Sequence, residues 1–369
     1  MKLWGHCMTN SSDKPIVVVG EGWAALGAVG FLAHAGTGVR PPVRWISGSG
    51  TRILAPLPSV DVSDSCEGAA LWKALAENMG VECGDLQAGS FLREYRNKGF
   101  REFRNHEELT WGPERRFVSA QEGRFEKTLG ELEESIRQRL ASGEFQNVVK
   151  TDSLPIAEVK IENKKVRAVI LGSGEEIECD QVIYADKWSE LAKIQGLPKP
   201  LPFTRRRLPT SVVQMTLFHQ LPVGVGLMEG FFAPVTPGNL WGYFSSDGRW
   251  SVWTLCLSPD DAEDNHEIAK KLRRMKNMLQ KIFSESAWLA EGKSDFLSNV
   301  QGEQVRFGES LIFAEGDVPS EPLLLPQVQG IRFLTDGYGP SAAFHQVGAL
   351  FQRSKPKAEY VNRSDSVFA

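Results

Sequence analysis

The first strong hydrophobic signal in the chain is an unbroken run of apolar, β-branched residues at 16–19. Such a run is typical of a central strand in a parallel sheet, because both faces of that strand are covered. Mostly small and apolar residues follow from 24 to 35 and predict a closely packed helix. Gly20 and Gly22 lie between the two segments, so the pattern predicts a strand, a tight turn and a helix.

The residues of this turn suit a dinucleotide-binding fold. Gly20 permits a sharp turn at the end of the strand, and Gly22 lets the backbone approach a pyrophosphate closely. Ala25 stands where a third glycine often allows close packing of helix on strand. The N–H groups at the start of the helix, near Trp23 and Ala24, would then point at the phosphates. The alternative is a plain strand-to-helix connection, which many α/β proteins contain.

A second strand, turn and helix are predicted near the other end of the sequence. Residues 330–335 predict the strand, Asp336 and Gly337 the turn, and apolar residues within 342–350 the helix. Taken alone, Asp336 is better explained by a helix N-cap than by a cofactor site. Its occurrence together with the first turn favours the nucleotide-binding interpretation.

The middle of the chain has a different pattern. Partial alternation of apolar and polar residues predicts an antiparallel sheet with strands at 211–218, 230–234, 240–244 and 250–257. Apolar residues at helical spacing in 265–283 predict an amphipathic helix that covers this sheet. Five of the ten tryptophans lie between 188 and 288. They either line a cavity for a hydrophobic substrate or, as we favour, form the core of the sheet.

The two turns, together with the predicted strand at 182–185, resemble the flavin-containing amine oxidase and phytoene desaturase superfamily. Trp23, directly after the second glycine, is similar to the squalene- and carotenoid-desaturase branch of that superfamily. The resemblance extends over most of residues 14–352. It includes a helix at 129–140 and strands at 156–161, 166–170 and 176–183.

This resemblance implies an α/β fold with a discontinuous, Rossmann-like FAD-binding domain that contains a parallel sheet and a β-meander. That domain would be assembled from residues 14–90, 128–195 and 320–352. An α+β substrate domain, built on the antiparallel sheet, would consist of 91–127 and 196–319. The remaining residues, 1–13 and 353–369, would be flexible ends.

The resemblance also implies which residues hold FAD. The first turn would line the pyrophosphate, the backbone at Ile156 would meet the adenine, and Asp336 would hold the ribityl or pyrophosphate region. The helix from Gly339 onward would place its positive end near the flavin, where it stabilises the negative charge of the reduced ring. The full set of cofactor-binding residues predicted on this basis is Gly20, Gly22, Trp23, Ala24, Ala25, Ser47, Arg52, Ile156, Asp336, Gly337, Gly339, Pro340 and Ser341.

One end of this predicted site departs from the family pattern. The second strand of the family ends in Glu, whose carboxylate binds the adenosine ribose, and a Gly-Gly-Arg segment follows. Here Ser47 occupies the acidic position, and Arg52 follows at a spacing that does not match. Serines and an arginine at this strand end are also what a site for the 2′-phosphate of NADP would contain. We therefore rank FAD first, a degenerate or empty site second, and NADP third.

Composition fits a globular enzyme, with 41% hydrophobic and 24% charged residues among 369. The net charge of −4 gives no general attraction to nucleic acid. Five cysteines without paired spacing favour free thiols in a reducing compartment. Since no apolar run has the length of a transmembrane segment, we expect a cytoplasmic protein. We also expect it to act on a small, hydrophobic substrate.

These observations predict an FAD-dependent oxidoreductase that takes hydride from a C–N or C–C bond. A flavin accepts the hydride itself, so side chains would mainly position the substrate and exclude water. Helper candidates are the arginines at 205–207 together with His219 and His345, and of these Arg207 and His345 are retained as weak catalytic candidates. No Ser/His/Asp set, metal site or P-loop is evident in the sequence. The alternatives are a non-catalytic or degenerate dinucleotide-binding protein with the same fold and an NADP-binding oxidoreductase.

Overall fold

The computed structural model describes residues 14–34, 41–47, 54, 57–58, 60–61, 68–89, 91–103, 122–186, 188–199, 201, 207–227, 229–234, 239–258, 261, 264–285, 288–313, 322–325, 327–334, 336 and 340–352. Their helices are α1 (Trp23–His34), α2 (Gly68–Asn78), α3 (Leu129–Ala141), α4 (Trp188–Leu191), α5 (Asn265–Ile282) and α6 (Pro340–Gln352). Their strands are β1 (Ile16–Val19), β2 (Val43–Ile46), β3 (Val60–Asp61), β4 (Gln87–Gly89), β5 (Leu92–Arg96), β6 (Gly99–Glu102), β7 (Glu122–Arg124), β8 (Val149–Asp152), β9 (Ile156–Glu162), β10 (Lys165–Leu171), β11 (Glu176–Glu178), β12 (Gln181–Tyr184), β13 (Arg207–His219), β14 (Gly230–Pro234), β15 (Asn239–Phe244), β16 (Trp250–Leu257), β17 (Val300–Phe313), β18 (Leu323–Leu324) and β19 (Ile331–Phe333).

A six-stranded sheet combines strands from the first and the last parts of the described chain. Its order is β18-β19-β12-β1-β2-β8, and every neighbouring pair except β18/β19 is parallel. β1 lies inside this sheet, and its side chains alternate between two cores. Ile16 and Val18 pack among the helices, whereas Val17 and Val19 pack on the opposite face. This two-sided burial explains why β1 has no polar residue.

The helical layer on the first face contains α1, α2, α3 and α6. Its small residues let α1 pack closely, because side chains of α6 and α2 occupy the space beside two of its glycines. A Cβ at Gly27 would lie 3.3 Å from Val347, and one at Gly30 would lie 2.6 Å from Leu75. The helix predicted at 24–35 is therefore observed as α1, with its start one residue earlier.

The opposite face is covered by a three-stranded antiparallel sheet in the order β11-β10-β9. The segment predicted as one element at 176–183 is divided into β11 and β12, which belong to different sheets. The chain bends between them at Asp180, which packs on Gly330. Gly330 has φ +90°, and a Cβ there would overlap the carbonyl of Asp180, so the bend depends on glycine at 330.

A separate seven-stranded sheet has the order β17-β13-β16-β15-β14-β5-β6. All of its pairs are antiparallel except β14/β5. The strands predicted in the middle of the chain correspond to β13, β14, β15 and β16. The predicted amphipathic helix is α5, which covers one face through Ile268, Met275 and Leu279. Trp241 and Trp253 are fully buried in this region, as expected for a core role.

Helix α3 packs beside the six-stranded sheet and also contacts the seven-stranded sheet. It begins at a capping box, in which Thr128 and Glu131 bond to each other's backbone N–H. The same Glu131 accepts hydrogen bonds from the backbone N and Oγ of Ser246, at 3.0 and 2.5 Å. Gly130 faces Tyr243, whose hydroxyl would lie 2.6 Å from a Cβ at this position. The start of α3 is thus fixed against the turn between β15 and β16.

The chain is a mixed α/β protein with both parallel and antiparallel sheets. The division into a cofactor-binding and a substrate domain stays a prediction. None of the helices in the described ranges combines the length and the apolar character needed to cross a membrane. The described cysteines, Cys83, Cys179 and Cys256, are buried free thiols.

Candidate functional site

The glycine turn between β1 and α1 lies at the carboxyl end of the parallel sheet. Gly20 has φ +124°, and a Cβ there would overlap the carbonyl of Ala185 just beyond β12. Because neither that conformation nor that backbone contact suits another residue, glycine is required at 20. The chain then turns directly into α1, whose first hydrogen bond runs from Leu26 N to Gly22 O at 3.0 Å.

Asp336 meets this turn from the far end of the chain. β19 pairs with β12, and Leu334 N donates to Tyr184 O at 2.9 Å, so the residues after β19 reach the same edge as the glycine turn. The carboxylate Oδ1 of Asp336 accepts a hydrogen bond of 2.7 Å from Ala24 N. The space that a Cβ at Gly22 would need is filled by the same carboxyl group. The structure therefore brings together the two turns that the sequence singled out.

Two side chains donate hydrogen bonds to carbonyl oxygens of the turn. Trp45 Nε1 on β2 donates to Gly20 O at 2.8 Å, and Arg137 Nη2 on α3 donates to Glu21 O. The guanidinium of Arg137 also lies 5.3 Å from the centre of the Trp45 ring, within cation–π range. These contacts fix the backbone of the turn, so its N–H groups are oriented by the protein itself.

A buried carboxylate completes this support. Glu133, with 0% of its side chain exposed, accepts from Trp23 Nε1 at 3.1 Å and from Arg137 Nη2 at 3.2 Å. Sequence reasoning did not find Glu133 or Arg137. Their only local signal is an i,i+4 acidic–basic pair on α3, which is common on solvated helix faces. Trp23 was assigned to the cofactor, and its indole N–H is here engaged by the protein.

The electrostatics of Asp336 are unusual for a carboxyl group. Burial is the main cause that raises the pKa of Asp336 to about 7, and repulsion from Glu133 and Asp186 acts in the same direction. The hydrogen bond from Ala24 N and the charge of Arg137 oppose this rise in pKa. Near neutral pH, the group closest to the start of α1 is thus poised between its charged and neutral forms.

The end of β2 is organised differently. Ser47 N donates to Asp152 O at 2.8 Å, and Ser47 Oγ lies 3.3 Å from the same oxygen. The Asp152 carboxylate is bound by Arg44 at 2.8 and 3.0 Å, and Arg44 also contacts Glu175 at 3.0 Å. This strand end therefore presents a serine tied to the backbone and a guanidinium that is already engaged by two carboxylates.

The other predicted site residues are placed as follows. Ile156 is the buried first residue of β9, in the meander sheet. Pro340 begins α6, and Ser341 is its second residue. Ala25 is fully buried under the turn. Arg52, Gly337 and Gly339 lie outside the described residues.

The catalytic candidates are not brought together with this site by any described contact. His345 lies on α6, and its buried Nδ1 has no hydrogen-bond partner among the described atoms. Arg207 begins β13, and its side chain lies outside the described part. His219 bonds to Ser251 Oγ at 2.9 Å in the core under α5, beside Phe296. Its burial lowers the pKa of His219 to about 4, so it is neutral at physiological pH.

No protein-family model matches the chain, and the comparison with curated proteins gives no match. Solved structures do match. An oxidoreductase from Methanosarcina mazei is 12% identical, with 92% of this chain and 100% of that chain covered and a TM-score of 0.57. A glycine oxidase from Bacillus cereus is 14% identical, with 93% and 96% covered and a TM-score of 0.53. A flavin-dependent halogenase from Xanthomonas campestris is 10% identical, with 92% and 70% covered and a TM-score of 0.52.

Across these and similar matches, the chain spans 65% to 100% of the other chain's length. At such identities the likeness establishes a shared fold. It does not distinguish the amine oxidase and desaturase branch, named from the sequence, from other enzymes with this fold.

The residues of the site fit one part of FAD better than the other. The start of α1 supplies N–H groups for a pyrophosphate, and the missing side chain of Gly22 leaves room for one acidic group, which here is the carboxyl of Asp336. At the end of β2, where the sequence resemblance predicts the adenosine ribose, Ser47 has a hydroxyl in place of a carboxylate. The site therefore fits a dinucleotide through its phosphates, with a weakened grip on the adenosine ribose.

Proposed function

We propose that the protein is an FAD-dependent oxidoreductase of the amine oxidase/desaturase type. In this proposal, hydride passes from a C–N or C–C bond of a small or lipophilic substrate to the flavin. One observation carries it: the 2.7 Å hydrogen bond from Ala24 N to Asp336 joins the glycine turn to the acidic turn at the carboxyl end of the sheet. Ligands of open α/β sheets bind at this edge.

The chain's own residues would divide the binding between them. The N–H groups at the start of α1 would bind the pyrophosphate, and Asp336 would contact the ribityl chain beside it. Pro340 begins α6, so the positive end of that helix would lie toward the flavin ring. When bound, the flavin supplies the hydride acceptor, and the protein supplies orientation and exclusion of water.

The tryptophan that suggested the desaturase branch has a supporting role here. Trp23 is buried, and its indole N–H is bonded to Glu133 on α3. It therefore stabilises the turn and does not indicate the substrate. The finer part of the proposal rests on the resemblance of the turn sequence, and the substrate has to be found by screening amines and unsaturated lipids.

The test is the visible absorption spectrum of the purified full-length chain, before and after addition of FAD. We expect the two visible bands of oxidised flavin, and chromatography of the released nucleotide should identify FAD. The variant Gly22→Val should be colourless, because its side chain would overlap the Asp336 carboxyl group and push it into the start of α1, where the pyrophosphate would bind. A colourless wild-type protein that takes up no FAD would refute the proposal.

That negative result would favour the second candidate, a non-catalytic or degenerate dinucleotide-binding protein. The observation behind it is Ser47, whose hydroxyl faces the carbonyl of Asp152. NADP ranks lower, because a simple NADP-dependent dehydrogenase has no evident need for the acidic turn at Asp336 beside the glycine turn. Retention of the chain on immobilised NADP would reverse that order.

A further inference from the structure

The start of α1 already binds an anion, and that anion belongs to the chain. Ala24 N is one of the N–H groups that a helix of this kind directs at a pyrophosphate, and it donates to Asp336 Oδ1 at 2.7 Å. The same carboxyl group fills the space left open by the missing side chain of Gly22. A phosphate that enters this turn must therefore share the N–H group with Asp336 or take its place.

The charges around the turn make sharing unfavourable. Glu133 of α3 and Asp186, just after β12, both repel a charge on Asp336. Arg137 of α3 lowers the pKa of Asp336, and it is itself held by Glu133 and the carbonyl of Glu21. A pyrophosphate would add two negative charges beside the carboxyl groups of Asp336, Glu133 and Asp186.

We propose that Asp336 makes dinucleotide binding proton-linked: as the pyrophosphate occupies the start of α1, the Asp336 carboxylate takes up one proton from solvent. This inference rests on the proposed function, because it concerns the same site. The neutral carboxyl group no longer competes for Ala24 N, and its new O–H can donate to a phosphate oxygen. The charged form instead keeps the hydrogen bond from Ala24 N and so blocks the phosphate.

The protonation state of the apoprotein is consistent with this exchange. Burial and the neighbouring carboxylates raise the pKa of Asp336 to about 7, so the required proton is available near neutral pH. Because this folded-state pKa lies above the unfolded value of 3.8, the group favours folding at low pH. That contribution is lost as pH rises from about 4 through about 7.

The experiment is isothermal titration of the full chain with inorganic pyrophosphate and, separately, with FAD, at pH 6, 7 and 8. Repeating each titration in two buffers of different ionisation enthalpy gives the number of protons taken up. For the wild type with FAD we expect close to one proton at pH 8 and a Kd that weakens about fivefold from pH 7 to pH 8. The variant Asp336→Asn should bind FAD with a nearly pH-independent Kd. With inorganic pyrophosphate, which itself titrates near neutral pH, the variant should take up about one proton fewer than the wild type at pH 8. Asp85→Asn, a change at an exposed carboxylate, should behave like the wild type.

Equal pH slopes in wild type and Asp336→Asn would overturn the inference, as would loss of all binding in that variant, because the carboxylate would then be a required ligand. Absence of binding by both probes at every pH would overturn it too. Proton-linked binding of pyrophosphate without binding of FAD would uphold the inference and refute the proposed function. A second readout uses no ligand: between pH 5 and pH 8, the Tm of apo wild type should fall relative to that of Asp336→Asn, and parallel Tm curves would contradict the inference.

Discussion

Arg137 offers the sharpest test of how the glycine turn is supported. Its guanidinium bonds to the fully buried Glu133 at 3.2 Å, donates to Glu21 O and covers the ring of Trp45. The variant Arg137→Met keeps most of the side-chain volume but removes the charge, which leaves Glu133 buried without this cation. Removing one partner of a buried ion pair typically costs about 3–5 kcal/mol. We expect the free energy of unfolding to fall by about that amount.

Arg139 provides a matched control on the same helix. Its side chain is 46% exposed, pairs with Glu144, which is 60% exposed, and donates to Met79 O at 3.1 Å. Exposed pairs of this kind contribute about 0–1 kcal/mol and a hydrogen bond about 1 kcal/mol, so Arg139→Met should cost clearly less than Arg137→Met. Equilibrium unfolding in urea, at fixed pH and with the slope m checked for constancy, measures both variants on the same scale.

A second variant separates charge from packing. In Glu133→Gln/Arg137→Met, the buried negative charge is removed together with its cation, and the glutamine can still accept the indole N–H of Trp23. We expect this double variant to recover more than half of the stability lost in Arg137→Met. Arg137→Met no less stable than Arg139→Met would refute the reasoning, and so would a double variant as unstable as the single one.

The remaining predictions concern single positions. Gly20→Ala should destabilise the chain by about 1–3 kcal/mol or more in urea unfolding, because φ is +124° and the new Cβ would overlap the carbonyl of Ala185. Ser47→Glu should tighten FAD by about ten- to a hundredfold in a fluorescence titration, since an ionised acceptor for ribose hydroxyls contributes about 1.5–3 kcal/mol; an unchanged Kd would show that the ribose lies elsewhere. His219 has a folded-state pKa of about 4, below the unfolded 6.5, so its contribution to stability is complete above pH 6.5 and is lost as pH falls toward 4. Wild type should therefore lose about 2 kcal/mol relative to His219→Gln between pH 7 and pH 5 in urea unfolding. Burial raises the pKa of Cys179 to about 12, so peptide mapping after native alkylation at pH 8 should find Cys179 unmodified, with labelling expected only after unfolding.

The parts of the site that could be predicted from the sequence are those with a local signal. Gly20 and Gly22 follow an apolar strand directly, and the short-range rules for turns and helix starts apply to them. Asp336 also follows a strand, but nothing local shows which turn it meets. The resemblance of both segments to one family assigned them to one cofactor site, but it did not predict the hydrogen bond from Ala24 N to Asp336, which spans 312 positions.

The missed residues act through contacts that leave no local pattern. Trp45 appears as one apolar residue of a short strand, yet its indole N–H holds Gly20 O. Glu133 and Arg137 have the spacing of a solvated pair, and their burial depends on α3 packing over β2 and the glycine turn. For the same reason, the engagement of Ser47 by Asp152 O could not be foreseen, because it depends on the register of β2 against β8.

The two ends of the proposed dinucleotide site differ in how their polar groups are hydrogen-bonded. At the end proposed for the phosphates, hydrogen bonds from Trp45 and Arg137 to the carbonyls of Gly20 and Glu21 fix the turn, so the protein itself sets the direction of the N–H groups there. An N–H group held in a buried place needs an acceptor, and Asp336 provides one. At the end proposed for the ribose, the hydroxyl of Ser47 already has an acceptor in the carbonyl of Asp152 on β8. Binding energy should therefore be concentrated at the pyrophosphate, and the chain should tolerate changes in the adenosine half of a dinucleotide better than changes in its phosphates.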